Sequence, residues 1–396
     1  MSSDRFKMLR RRLMEKLDLA RELSDQEILE EIDDLLLNGM RESALSLKEK
    51  VQLRQELFYS VRKLDVLQEL IDDDSVTEIM VNGPENIFVE RAGKLKKWEK
   101  GFTSREKLED VIQQIVGKCN RVINESMPIC DARLDTGARV NAVIRPVALE
   151  GPILTIRRFP DTPITMEKLI SLGSLPPECA QFLAVLVKAR YSMVIGGGTG
   201  SGKTTFLGAL SNYIPKDERL ITIEDNAELK IQGVENLVRL EAKMANVDGG
   251  TSITIRDLIK TALRMRPDRI VVGEVRGGEA VDMLQALNTG HEGSLSTAHA
   301  NSAQDMLSRL ETITLMGVDL PLEAIRRQIA SGVDILIHLG RMRDKSRKVL
   351  EITEVCGFED HEIKTRTLYQ WQEGKGLVQK AELLNREKLV RAGVEI

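Results

Sequence analysis

The first 70 residues carry hydrophobic positions at helical spacing among many charged side chains. The apolar stripe of the first predicted helix consists of Phe6, Leu9, Leu13 and Leu17. Ser24, followed by Glu27, and Ser46 are N-cap signals for two further helices. Basic residues surround the first stripe, as in a helix that lies on a membrane surface. The pattern favours a small helical subdomain with a solvated basic face over 1–70.

From residue 71 to 159 the hydrophobic positions change to short runs that are typical of strands. Residues 76–82 form the first run, which Gly83 and Pro84 interrupt. Ser104 marks the start of a single helix among these strands. This order predicts an α+β domain over 71–159, followed by a linker at 160–163.

Beyond residue 164 apolar strand-like runs alternate with helical patterns, which predicts a largely parallel sheet. This domain extends over 164–340. The segment 341–396 returns to strand-like runs and closes with a charged helix near 380–392. The predicted fold class is therefore α/β, preceded by an α+β domain and a leading helical segment.

One stretch of the second domain carries a phosphate-binding pattern. An apolar strand at 193–195 precedes glycine, four residues and Gly-Lys-Thr, and a helical pattern follows. Strand, glycine-rich loop and helix in this order identify a P-loop. Lys203 is expected to reach the β- and γ-phosphates, and Thr204 to hold Mg²⁺. A glycine-rich turn without a ligand is the alternative, and it leaves the Lys-Thr pair unexplained. The predicted nucleotide contacts of this loop are Gly197, Gly198, Thr199, Gly200, Ser201, Gly202, Lys203, Thr204 and Thr205.

Carboxylates follow two later strands of the same domain. Glu224 and Asp225 end the run at 220–225, and Glu274 follows the run at 269–272. Strand ends of an open α/β sheet are where ligands bind, so these carboxylates are candidates for the metal shell or the attacking water. Gly273 stands where such enzymes often have an aspartate. A helix N-cap or an exposed strand-end charge is the alternative interpretation.

His291 and His299 flank a further short strand, and Ser302 is a cap signal for the helix that follows. Zinc binding fits poorly, because no nearby cysteine or third histidine completes a ligand set. A contact with a γ-phosphate or with water is one interpretation of these histidines. Two buried, hydrogen-bonded histidines without a catalytic role are the other.

Composition restricts the compartment and the partners. The chain has 396 residues, and it contains neither a long apolar run nor an apolar signal sequence, so we expect a cytoplasmic protein. The net charge of −4 gives no general attraction to nucleic acid. Four scattered cysteines are expected to be reduced and mostly buried: Cys119, Cys130, Cys179 and Cys356.

Four blocks in this order resemble the motifs of the ATPases of type II and type IV secretion systems. In that family they are called Walker A, the Asp box, the atypical Walker B and the His box. Here they are the P-loop, Ile-Thr-Ile-Glu-Asp at 221–225, the run at 264–277 that contains Val-Gly-Glu-Val-Arg-Gly, and Ser-Leu-Ser-Thr-Ala-His-Ala-Asn-Ser at 294–302. The small-domain blocks at 76–84, 131–134 and 139–141 resemble the CpaF/TadA branch, which drives assembly of Tad (Flp) pili.

The resemblance implies a hexameric ring with a RecA-like core that hydrolyses ATP with Mg²⁺. It implies that Glu274 orients water, that Glu224 lies near the metal and that His299 senses the γ-phosphate. Arg133 and Arg139 match the family's arginine fingers, although the residues alone favour simple solvation of a strand edge. The implied partners are inner-membrane platform proteins that hold the ring at the cytoplasmic face of the membrane. The resemblance adds two more nucleotide contacts next to the linker, namely Arg157 and Arg158.

Three rival functions remain open from the sequence. A RecA-like nucleic-acid motor would need a basic channel and stacking aromatic residues, whereas aromatic residues make up 4% of this acidic chain. A conjugative type IV secretion ATPase shares the same four blocks. A non-enzymatic ATP-binding switch is disfavoured because Lys203, Thr204 and Glu274 are all present.

Overall fold

The computed structural model describes residues 3–17, 21, 23–38, 46–91, 93–134, 136–158, 163–243 and 251–395. The chain divides into two compact units, Met1–Pro160 and Asp161–Ile396. The linker predicted at 160–163 lies outside the described residues, apart from Pro163.

The first unit begins with a helical bundle formed by α1 (Ser3–Lys16), α2 (Asp25–Asn38) and α3 (Leu47–Arg62). Leu9 and Leu13 of the predicted stripe are fully buried in the core of this bundle, together with Ile32. The Ser46 cap is confirmed, because its side chain accepts the N–H of Glu49 in a capping box. The apolar stripe is therefore used within the protein, which supports the helical subdomain over the membrane-surface helix.

An antiparallel sheet with two packed helices follows in the first unit. Its elements are α4 (Val66–Asp72), β1 (Val76–Asn82), β2 (Ile87–Arg91), β3 (Lys94–Lys97), α5 (Arg105–Lys118), β4 (Ile129–Arg133), β5 (Arg139–Val143) and β6 (Ile153–Arg157). Among the described strands the order is β3-β2-β1-β6-β5-β4. Val140 and Ala142 face the core with α5, whereas alternate residues of β5 face outward.

The second unit is built on a mixed sheet with helices. Its first elements are α6 (Met166–Ser171), α7 (Pro177–Lys188), β7 (Met193–Gly197), α8 (Lys203–Ser211), β8 (Leu220–Glu224), β9 (Leu237–Glu241), α9 (Ile255–Ala262), β10 (Arg269–Val272), α10 (Ala280–Asn288) and β11 (Leu295–Ala298). The remaining elements are α11 (Ala303–Leu315), α12 (Leu322–Gly332), β12 (Ile335–Arg341), β13 (Arg347–Glu359), β14 (Glu362–Gln372), β15 (Gly376–Gln379) and α13 (Glu387–Ala392).

Parallel pairing joins the middle of this sheet. In the part of the chain that the structure describes, the strand order is β15-β14-β13-β12-β7-β11-β10-β8-β9. The pairs from β12 to β9 are parallel, whereas β12, β13, β14 and β15 pair antiparallel. Strands β7, β8, β10 and β11 are buried along their whole length, as expected for parallel strands covered on both faces.

The C-terminal segment departs from the prediction of a helix near 380–392. Strand β15 precedes it, and the helix begins only at Glu387. The backbone N–H groups of Leu384 and Asn385 donate to the buried carboxylate of Glu354 at 2.9 and 2.7 Å. These contacts anchor the segment to β13 and hold its backbone outside a helix.

Two expectations from composition can be compared with the structure. Among the described helices, none combines the length and the apolar composition that crossing a bilayer requires. The cysteines are free, and Cys130 and Cys179 are buried as expected, but Cys356 is exposed.

A buried ion pair joins the amino ends of the parallel strands. The side chain of Arg269, the first residue of β10, is 0% exposed. It donates to both carboxylate oxygens of Glu218 at 2.5 and 2.9 Å, and to the carbonyl of Val187 near the end of α7. Arg190 lies 3.2 Å from the same carboxylate. The pair therefore connects α7, β8 and β10 at the amino ends of the strands, whereas the P-loop lies at the carboxyl ends.

Removing one partner of this pair should destabilise the protein strongly. Glu218→Ala leaves the Arg269 guanidinium buried without its counter-charge, and we expect the free energy of unfolding to fall by about 3–5 kcal/mol. Urea unfolding followed by circular dichroism measures the change. The control is Glu382→Ala, which removes an exposed i,i+4 pair with Arg386 and should cost less than about 1 kcal/mol. Equal losses in the two variants would contradict the prediction.

Candidate nucleotide-binding site

The predicted order of strand, loop and helix is confirmed around residues 193–211. Strand β7 ends at Gly197 and α8 begins at Lys203. Gly200 and Gly202 have φ values of +73° and +93°, a conformation that turns backbone N–H groups toward the inside of the loop. The unsatisfied N–H groups of the first turn of α8 add to this cradle. The loop therefore has the shape that binds phosphate oxygens.

Lys203 lies over the loop that precedes it. Its Nζ donates to the carbonyls of Gly197 and Gly198 at 3.0 and 3.2 Å, and lies 3.4 Å from Nδ1 of His299. Burial lowers the pKa of this lysine, although Glu274 opposes the shift. A partly desolvated ammonium group at this position is suited to contact a polyphosphate.

Glu274 and His299 meet beside this lysine. Glu274 follows β10, His299 follows β11, and Oε1 of the glutamate lies 2.9 Å from Nε2 of the histidine, although the ring N–H is not directed at it. Burial lowers the pKa of His299 below its usual 6.5, with Glu274 opposing the shift and Lys203 reinforcing it. The imidazole lies between the ammonium group of Lys203 and the carboxylate of Glu274. His291 is apart from this group and lies 3.3 Å from the carbonyl of Ala286.

Glu224 explains the glycine at the position where an aspartate is usual. A Cβ on Gly273 would lie 2.9 Å from Cγ of Glu224, so the glycine leaves room for a carboxylate from the adjacent strand. Oε2 of Glu224 accepts the backbone N–H groups of Glu228 and Leu229 at 2.9 Å each. Burial raises the pKa of Glu224 to about 7, and the two N–H groups oppose this shift.

The residues present fit Mg²⁺ in combination with a nucleotide. Oε1 of Glu224 and Oε1 of Glu274 are buried and accept no hydrogen bond from the described residues. Thr204 is half-buried in the first turn of α8. Over the described ranges, no three His, Cys, Asp or Glu side chains cluster as a metal site. Mg²⁺ retains water and phosphate oxygens as ligands, so a site with few protein ligands is suited to it.

The predicted arginines lie in the first unit. Arg133, Arg139 and Arg157 are cross-strand neighbours on β4, β5 and β6. Arg139 lies 3.5 Å from Asp131, and Nε of Arg133 donates to the carbonyl of Gly137. Their contribution to a nucleotide site remains a prediction.

Arg158 is engaged with the segment before β1. It donates to the carbonyl of Asp73 and, at 3.0 Å, to the carboxylate of Asp74. These bonds join the end of β6 to the start of the sheet, and a nucleotide contact of Arg158 likewise remains a prediction.

Sequence reasoning did not identify two arginines that contact the site. Nε of Arg276 donates to Oε2 of Glu274 at 2.7 Å, and Nε of Arg347 donates to the carbonyl of Gly200 at 3.0 Å. A cavity of about 200 Å³ opens between Gly202 and the start of β13, where Arg347 lies. Arg276 lies inside the Walker B block, so its position was a usable signal. For Arg347 the only signal was the basic run at 341–348.

Comparison with known proteins gives the family. A family model described as type II/IV secretion system protein matches residues 61–385. A Mycobacterium tuberculosis protein named for conjugal transfer is 35% identical over 327 residues, which cover 81% of this chain and 91% of that protein. The type IV secretion system protein VirB11 of Brucella suis is 33% identical over 303 residues, which cover 70% and 84% of the two chains.

A solved structure supports the fold. The pilus retraction motor PilT with bound ADP matches 72% of this chain and 81% of its own, with a TM-score of 0.52 and 21% identity. At this identity the likeness concerns the fold alone. The predicted fold class, an α/β RecA-like core preceded by an α+β domain, is confirmed.

The raised pKa of Glu224 predicts a pH-dependent gain in stability for Glu224→Gln. Because its pKa in the folded state is about 7 instead of 4.5, ionisation of Glu224 weakens the native state progressively as the pH rises from 4.5 through 7. Relative to wild type, the variant should therefore be more stable at pH 8 than at pH 5, by about 2 kcal/mol.

Urea unfolding without nucleotide and with EDTA measures this difference. The matched control is Glu235→Gln, at an exposed position, which should show the same relative stability at both pH values. A Glu224→Gln effect that is independent of pH would refute the prediction.

Proposed function

The chain belongs to the type II/IV secretion system protein family, and we propose that it is an ATPase that hydrolyses ATP to ADP and phosphate. The observation that carries this proposal is the contact series from Lys203 through His299 to Glu274 beside the P-loop. It brings together a phosphate-binding cation, an imidazole and a carboxylate from three separate parts of the sequence.

Catalysis of phosphoryl transfer to water requires positioning and charge neutralisation. In the proposed reaction the P-loop N–H groups and Lys203 bind the β- and γ-phosphates. Thr204 and Glu224 would hold Mg²⁺, which neutralises charge on the phosphates when it is bound. Glu274 orients the attacking water. His299 lies between Lys203 and Glu274. In the proposed reaction it senses whether the γ-phosphate is present through these two neighbours.

The arginines of the first unit enter the proposal through the family resemblance. Arg133 and Arg139 are proposed as arginine fingers, which stabilise charge that develops on the phosphate. Arg157 and Arg158 are proposed as nucleotide contacts, with domain closure coupled to nucleotide binding.

The proposed work is assembly of a Tad (Flp) pilus by a homo-hexamer at the cytoplasmic face of the membrane. Sequence blocks of the first unit, at 76–84 and 131–134, support this assignment through their resemblance to the CpaF/TadA branch. The ring would act on platform proteins in the inner membrane. A conjugative or type IV secretion ATPase is the second candidate, and it is favoured by the relatives named for conjugal transfer and VirB11.

Substitution of Glu274 by Gln should abolish turnover and preserve nucleotide binding. The variant keeps the shape of the side chain but lacks the charge that orients water, and we expect kcat to fall at least about 100-fold. Steady-state ATP hydrolysis, measured beside mass photometry and binding of a fluorescent ATP analogue, tests this. Lys203→Ala should lose binding, and the exposed control Glu235→Gln should match wild type.

The outcomes separate the rival functions. Equal rates for wild type and Glu274→Gln would refute the catalytic assignment. Wild-type protein that binds ATP without turnover in every assembly state is a switch. Hydrolysis that single-stranded DNA stimulates strongly would favour a nucleic-acid motor.

The cellular role is tested separately in the native host. A strain that carries Lys203→Ala should lack surface pili and should transfer plasmids at the wild-type rate. Loss of plasmid transfer with normal pili would instead support the conjugative candidate.

A further inference from the structure

Arg276 joins the ends of two neighbouring strands in the second unit. Its Nε and Nη2 lie 2.7 and 2.5 Å from Oε2 of Glu274, which follows β10. Its Nη1 lies 3.5 Å from Oδ2 of Asp225, which follows β8. One guanidinium group therefore bridges two carboxylates: two of its nitrogens converge on a single oxygen of Glu274, and the third faces Asp225.

The loop that presents Arg276 is held by its own contacts. Oε1 of Glu279 accepts the backbone N–H groups of Arg276 and Gly277 at 2.7 and 2.9 Å. Arg309 of α11 donates to the carbonyl of Arg276 at 3.4 Å. Gly278 packs so closely that a Cβ on it would lie 2.6 Å from Cα of Gly317. Although the side chain of Arg276 is 57% exposed, its backbone N–H and carbonyl are both engaged, and the next two residues of the loop are held as well.

The two oxygens of Glu274 have different surroundings. Oε2 receives both nitrogens of Arg276, whereas Oε1 lies beside His299 and accepts no hydrogen bond within the described chain. The side chain of Glu274 is 14% exposed, so the guanidinium faces a largely desolvated carboxylate. Rotation of the carboxylate would move Oε2 away from Nε and Nη2 of Arg276. One acceptor oxygen is therefore kept on the side where Lys203 and His299 lie.

We propose that Arg276 is a positioning residue for hydrolysis: by binding Oε2 it holds the carboxylate of Glu274 in the position from which Glu274 orients the attacking water. The inference rests on the proposed ATPase function and on the role of Glu274 within it. Arg276 acts through Glu274 and makes no contact with the nucleotide. A partly exposed ion pair without a role in turnover is the competing explanation, since such pairs contribute little to stability.

The first experiment separates kcat from KM. Arg276→Gln should lower kcat by about 10- to 100-fold, because a misoriented base loses its alignment with water, and should leave KM for ATP within about twofold. Arg276→Lys should recover part of the loss in kcat, because an ammonium group can bind Oε2 but has only one nitrogen to place against it. The matched control is Arg327→Gln, which removes an exposed arginine paired with Glu323 on α12 and should behave as wild type.

The second experiment asks whether Arg276 acts through Glu274. Binding of a fluorescent ATP analogue is compared between Glu274→Gln and the double variant with Arg276→Gln. Equal affinities are expected, and single-turnover hydrolysis should show no additional loss in the double variant. Weaker binding in the double variant would mean that Arg276 contacts phosphate directly, which would overturn the inference.

A third variant keeps the test valid should Arg276→Gln misfold. Glu279→Gln retains the arginine and weakens the anchor of its loop, and it should lower kcat in the same direction with KM unchanged. Wild-type activity in both Arg276→Gln and Glu279→Gln refutes the inference and leaves the ATPase function intact. Absence of turnover in the wild-type ring refutes the proposed function, and the inference with it.

Discussion

Parallel pairing of β7, β11, β10 and β8 is the constraint on which the candidate site depends. Each strand is buried, and each carries a residue of the site at or after its carboxyl end: Lys203, His299, Glu274 or Glu224. These residues are far apart in sequence, and only the common strand direction brings them to one edge. A register shift of one residue would exchange the two faces of a strand, so the site and the core are specified by the same pairing.

Two charged clusters at opposite ends of the parallel strands illustrate different uses of buried charge. At the amino ends, Arg269 and Glu218 satisfy each other within a rigid core. At the carboxyl ends, Glu224 and Glu274 each keep a buried oxygen without a hydrogen bond from the described residues, and burial shifts the pKa of Lys203 downward. Unsatisfied buried carboxylates weaken a fold. Their retention beside a P-loop is therefore better explained by ligand binding than by stability.

The sequence predicted the parts of the site that local order determines. Spacing alone identified the P-loop around Lys203, because strand, loop and helix are consecutive in the chain. The contact of Arg347 with Gly200 spans 147 residues, and no local pattern reports it. The late start of α13 has a similar cause, because Glu354 of a distant strand captures the backbone of Leu384. Hydrogen bonds between distant parts of the chain determine both features, and the periodicity of hydrophobic residues carries no information about such bonds.

Gly273 shows how a departure from a motif is resolved in three dimensions. In the linear sequence it looks like the loss of an acidic residue at the end of β10. In the sheet, the hydrogen bond from its N–H to the carbonyl of Ile223 places it against β8, and the missing side chain leaves the space that Glu224 fills. The carboxylate is thus supplied by the neighbouring strand, and an added side chain at 273 would displace it. Because Glu224 is buried and its pKa is raised to about 7, its charge depends on what binds beside it. A metal–nucleotide complex that compensates the buried charge would favour the ionised form of Glu224. Placing the carboxylate on β8 and not on β10 therefore couples ligand binding to the protonation of Glu224.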